Sequence, residues 1–165
     1  DFYSISLDEL LKEDKKMMKH LEESTNEVKS RQRFSKLIQI MSYLVIWAVA
    51  LIVFWVGMEP SDSMGYALMV FYLVLPITTL VISIFIGKDT GWSNLKWLML
   101  LFFGFMYMMA SYGTFSLANT ISFGNVNLPE LTDMIPGIIC AAIGMLIGTL
   151  IKLCKTKKIT KRQEI

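Results

Sequence analysis

The stretch LIQIMSYLVIWAVALIVFWVGM, Leu37 to Met58, runs for 22 residues without a charge. At 1.5 Å per residue a helix of that length reaches about 33 Å, enough to cross a hydrocarbon core of roughly 30 Å. The stretch therefore predicts a membrane span. Arg31, Arg33 and Lys36 stand immediately before it, and basic residues beside a first span hold that end in the cytoplasm.

Composition points the same way. Of the 165 residues 54% are hydrophobic, and a mean hydropathy of +0.51 is too high for an ordinary soluble domain. Three further uncharged runs, Ser63 to Gly87, Trp97 to Pro129 and Met134 to Ile151, can each hold one span. The expected fold is an all-α integral membrane protein with four transmembrane helices, near residues 37–58, 65–87, 95–118 and 135–153. Residues 1–36 are expected as a charged, amphipathic cytoplasmic helix, 37–154 as the four-span bundle and 155–165 as a basic cytoplasmic tail.

Short cytoplasmic segments collect Lys and Arg, and all sixteen basic residues fall on one side of this arrangement. Eight lie in residues 1–36, two in the Lys88 to Lys96 turn and six in Lys152 to Ile165. The two remaining loops carry only Glu59, Asp62, Glu130 and Asp133, net −4 against +6 for the inner segments. Both termini of a multi-pass cell-membrane protein are therefore expected in the cytoplasm. Cys140 within the fourth span and Cys154 at its cytoplasmic end are expected as free thiols. The first span is too long for a signal-peptide core and lacks a small-residue cleavage pattern, so it is expected to be retained. Lys, Met and Ile usage, with no N-x-S/T sequon, points to a bacterial source.

Ahead of the first span, Ser6-Leu-Asp-Glu9 reads as a capping box. No Gly or Pro occurs from Asp1 to Val56, so a helix started there can run on into the span. Ser24-Thr25-Asn26 is its weakest point. Positions 7, 11, 14, 18, 21, 25 and 28 form a helical stripe of Leu, Leu, Asp, Met, Leu, Thr and Val. Such a stripe folds back on the membrane surface or on the cytoplasmic turn, or docks a partner helix. Asp14 weakens the coiled-coil version.

Within the spans, Pro76 removes a backbone donor and should kink the second helix, with a neighbouring group re-satisfying the freed carbonyl. Trp92 and Trp97 sit where an aromatic belt belongs. On the third span Gly104, Tyr107, Ser111, Thr114 and Ala118 form a small and polar stripe, and on the fourth Gly137, Ala141, Gly144 and Gly148 form a small one. Small residues let helix backbones approach in lipid, so the two stripes are expected to meet each other, or to form a seam between copies. A polar solute path is the competing reading. The outer loop Asn119 to Asp133 is the longest connection between spans and the expected recognition element.

Catalysis within a membrane needs a nucleophile with a base, a metal cluster or paired carboxylates. The sole histidine, His20, precedes the spans, no span core holds an acid or base, and neither HExxH nor GxSxG occurs. No catalytic, cofactor or metal residues are expected. Of Met99, Met106, Met108 and Met109 in the third span, the last three spread around the helix, which fits packing better than a soft-metal path. Glu59/Asp62 and Glu130/Asp133 suggest a divalent-cation site, but Asp62 and Asp133 each precede a span and are expected to cap it. Lys152, Lys155, Lys157 and Lys158 are expected on anionic lipid headgroups, not on nucleic acid. These features together suggest a non-enzymatic accessory, regulatory or scaffold protein that docks a membrane partner or itself. The alternative is a small oligomeric transporter or channel for a neutral or hydrophobic solute.

Overall fold

The computed structural model describes residues 7–57, 62–89, 91–92, 95–124 and 126–163, without the side chains of 7–10 and 158–163. The described residues form four long helices: α1 (Leu7–Gly57), α2 (Ser63–Lys88), α3 (Lys96–Phe123) and α4 (Met134–Gln163). All four are long and apolar enough to cross a membrane, which makes this a multi-pass membrane protein. The chain divides into two compact units, Asp1–Leu37 and Ile38–Ile165.

In the first unit the helix passes Ser24 and Thr25 without a break. Both hydroxyls donate to the Leu21 carbonyl, at 3.0 and 2.7 Å. Ser and Thr weaken helices by competing for backbone groups; here that competition is absorbed inside the helix. The charged helix expected over 1–36 and the first span are thus one element over their described residues, because nothing between Leu7 and Gly57 ends the hydrogen-bond ladder. The Ser6/Glu9 capping box lies outside the described residues.

In the second unit α1 and α3 run parallel, as do α2 and α4. Trp47 Nε1 donates to the Met106 carbonyl at 2.9 Å and Trp55 Nε1 to that of Gly113 at 3.0 Å, so the α1 and α3 numbers rise together. Gly144 meets Leu80 and Ser83 while Gly148 meets Ile84 and Gly87, so α2 and α4 do the same. One core cluster joins Tyr43, Ile86, Trp92, Phe103, Ala141 and Met145, and a second joins Ala50, Tyr66, Leu75 and Tyr107. Of the four spans α1 is the least buried.

Both middle helices contain a π-helical turn, Val70–Val74 in α2 and Tyr112–Ser116 in α3. In α2 the cause is Pro76. Leu75 N–H donates to the Val70 carbonyl, five residues back. The next N–H in that register would serve Phe71 and would come from Pro76, which has none. The Phe71 carbonyl is left to a neighbour, and the Tyr107 hydroxyl of α3 donates to it.

The third span is longer than expected. α3 continues to Phe123 and a short 3-10 turn covers Leu131–Asp133, so the irregular described residues are 124 and 126–130 and not the whole of Asn119 to Asp133. Gly124 ends it at φ +72°, with its N–H returned to the Thr120 carbonyl at 2.9 Å. This is the left-handed stop that glycine adopts without a Cβ penalty. α4 likewise continues to Gln163, so the segment expected as a tail is helical over its described part.

Candidate functional site

The end of the second unit that carries residues 62 and 124–133, here called the distal end, holds two clefts separated by α3. The larger, about 710 Å³, is lined by Trp55 and Ser63 and by the α3 side chains Ser116, Asn119 and Ser122. The smaller, about 360 Å³, lies between α2, α3 and the start of α4. Phe115 lines both.

The smaller cleft is built by the π turn of α2. Phe71, Tyr72 and Pro76 form one wall, Tyr107, Ser111 and Phe115 another, and Thr132, Asp133 and Pro136 the third. The rings stand at different tilts. Phe71 and Tyr107 are nearly perpendicular with centroids 5.7 Å apart, and Phe71 and Phe115 lie 5.9 Å apart at 46°. Asp133 is half-buried and within electrostatic range of Tyr107. Its carboxylate accepts no hydrogen bond and pairs with no cation among the described residues. Thr132 Oγ1 donates instead to Glu130 Oε2, at 3.4 Å.

The small stripes meet as expected at one end, where Gly137 packs on Gly104 and Tyr107, and part at the other. A Cβ placed on Gly137 would stand 2.8 Å from the Phe103 carbonyl oxygen and 2.9 Å from Tyr107 Cβ, and one on Gly104 would stand 2.7 Å from Ile138. Here α3 and α4 touch closely. Gly144 and Gly148 face α2 instead. A Cβ on Gly144 would stand 2.6 Å from the Leu80 carbonyl oxygen and 2.7 Å from Ser83 Cβ, while one on Gly148 would overlap the Ile84 carbonyl and approach the Gly87 Cα to 3.0 Å. The physical reason is a second small pair, Ser83-x-x-x-Gly87, which gives α2 a surface as flat as that of α4. Ala141 is fully buried between these two contacts. Thr114 is fully buried too, but its hydroxyl returns to the Ala110 carbonyl at 2.8 Å, and Ser111 lines the smaller cleft.

Among the described residues the buried hydroxyls of Tyr43, Thr79 and Ser83 have no hydrogen-bond partner of normal geometry, although Tyr43 and Thr79 lie within interaction range. The helical threonines Thr114, Thr120 and Thr149 each bond the carbonyl four residues back. Thr79 and Ser83 do not.

Met99, Met106 and Met108 are buried packing residues. No group of three potential metal ligands occurs among the described residues. Asp62 stands at the N-cap of α2 without a side-chain capping bond, contrary to expectation, because its backbone has not taken the extended form of a capping residue. Glu59 lies outside the described residues. Trp92 is buried, with Nε1 donating to Gln39 Oε1 at 3.0 Å, while Trp97 is exposed under the Lys96 ammonium at 5.7 Å. Lys155 and Lys157 are exposed and Lys152 is half-exposed; the Lys158 side chain lies outside the described residues. No family model matches the chain, and neither does any curated protein or solved structure.

Proposed function

We propose that this is a non-enzymatic accessory or scaffold subunit of a membrane assembly, which takes hold of its partner through the helix that precedes the first span. The observation that carries the reading is the exposure of Leu11, Met18, Leu21 and Val28, each more than half open to solvent. These residues share one helical stripe, and an amphipathic helix laid into a partner's groove presents anchors at this spacing. The basic residues gathered in residues 1–36, 88–96 and 152–165 support a cytoplasmic position for that stripe, and an inner-leaflet role for Lys152, Lys155, Lys157 and Lys158 goes with it.

The test is purification of the tagged full chain from its native membrane, beside a Leu21→Glu/Val28→Glu variant. A defined partner should accompany the wild type and be lost from the variant, whose detergent chromatogram stays unchanged. Recovery of the same partner with the variant would transfer the docking role to the spans.

Transport of a neutral or hydrophobic solute is the second reading, and the open clefts of the distal end favour it. Against it stands the filled middle of the unit, where Tyr43, Leu75, Ile86 and Phe103 are fully buried. Solute flux in proteoliposomes above the protein-free rate would reverse the order of the two.

A further inference from the structure

We infer that the cleft between α2, α3 and α4 is a binding site for an organic ammonium group, with Asp133 as its counter-ion and the rings of Phe71, Tyr72, Tyr107 and Phe115 as its walls. A cation is attracted to the face of an aromatic ring by the ring quadrupole, and rings set at several angles around a carboxylate form the usual receptor for a bulky, weakly hydrated cation. The cleft brings four rings and one carboxylate together in about 360 Å³, within the range of roughly 300 to 1,000 Å³ common for small-molecule sites.

Charge decides the class of ligand. No Lys, Arg or His occurs in residues 37–87 or 97–151, so the chain offers Asp133 no cation of its own. The bland role for Asp133 is to oppose the dipole of α4. A helix N-terminus carries only about half a positive charge, however, and the Asp133 carboxylate accepts no hydrogen bond among the described residues. A ligand bearing a full positive charge completes the pairing. A small inorganic cation would need several oxygen ligands, charged ones above all, whereas Asp133 is the one carboxylate lining the cleft among the described residues and the hydroxyls of Tyr107 and Thr132 beside it are already donating to Phe71 and Glu130. The larger cleft, lined without a charged side chain, is the internal comparison. The site belongs to the four-span unit and does not depend on what the N-terminal helix binds.

The ammonium group can belong to a free amine or to a lipid headgroup. The experiment is calorimetric titration of the full chain in nanodiscs with choline and with its uncharged isostere 3,3-dimethylbutan-1-ol. Choline should bind saturably and the isostere at least tenfold more weakly. Asp133→Asn should weaken choline tenfold or more, Tyr72→Leu severalfold, and Asp62→Asn not at all, with thermal unfolding unchanged in each. Nanodiscs of phosphatidylcholine and of phosphatidylglycerol separate the sources. Choline affinity reduced in phosphatidylcholine identifies a lipid headgroup as the occupant, and equal affinity identifies a soluble amine. Equal binding of the isostere, an unchanged Asp133→Asn variant, or no choline binding in phosphatidylglycerol would overturn the assignment.

Discussion

A hydroxyl in this protein matters according to what it leaves behind when removed. Tyr107→Phe strips the donor from a Phe71 carbonyl that the π turn has left without its usual N–H, and should cost about 1 to 2 kcal/mol, the upper range for a hydrogen bond in a membrane protein. Tyr43→Phe removes a buried hydroxyl that has no well-formed partner and should be neutral or slightly stabilising. Unfolding in mixed micelles reads both, and equal losses would refute the distinction. Glycine follows the same logic. Gly144→Ala meets the Leu80 carbonyl and should cost about 1 to 3 kcal/mol through overpacking, whereas Gly65→Ala meets nothing within 4 Å and should be silent. The small stripe of α4 was legible in the sequence because spacing alone reveals it. Its partner was not: Gly144 and Gly148 pack equally well on any flat helix, and the flatness of α2 depends on Ser83 and Gly87, which fall among large residues. The cleft escaped notice for a related reason, since Tyr72, Tyr107 and Asp133 come from three helices and no periodicity within one helix connects them.

At the scale of the element, the four spans were readable from uncharged length, since lipid leaves a long apolar segment little choice but a helix. Their ends were less so. Asn119, Thr120 and Ser122 looked like loop residues, yet α3 holds them until Gly124 supplies a left-handed stop. Pro76 announced a disturbance without announcing its form, because whether the ladder kinks or takes a π turn depends on which neighbour can serve the orphaned carbonyl. This gives a prediction for the element as a whole. Pro76→Ala restores an N–H, allowing α2 to satisfy Phe71 internally, so Tyr107→Phe should cost far less in that background than alone. A double-mutant cycle measures the coupling, expected at about 0.5 to 3 kcal/mol for residues sharing one network. Strict additivity would mean that Pro76 and Tyr107 act independently.

For the whole molecule, orientation rests on charge. With Cys140 and Cys154 replaced by Ser, a cysteine at Leu128 should react with an impermeant maleimide in intact cells and one at Thr156 only after permeabilisation; the reverse pattern would invert the topology. The parallel pairing of α1 with α3 also has a consequence for synthesis. Trp47 and Trp55 find their carbonyls 59 and 58 residues further along the chain. At roughly 5 to 20 residues per second, the ribosome needs about 3 to 12 s to supply them. During that interval an inserted first span lacks both acceptors: the indole N–H of Trp55, near the end of the span, can turn to water or lipid headgroups, whereas that of Trp47, at mid-span, has neither within reach until α3 arrives. Its exposed flank is thus the face it was born with, and the third helix arrives as the late component that locks an already inserted span in place.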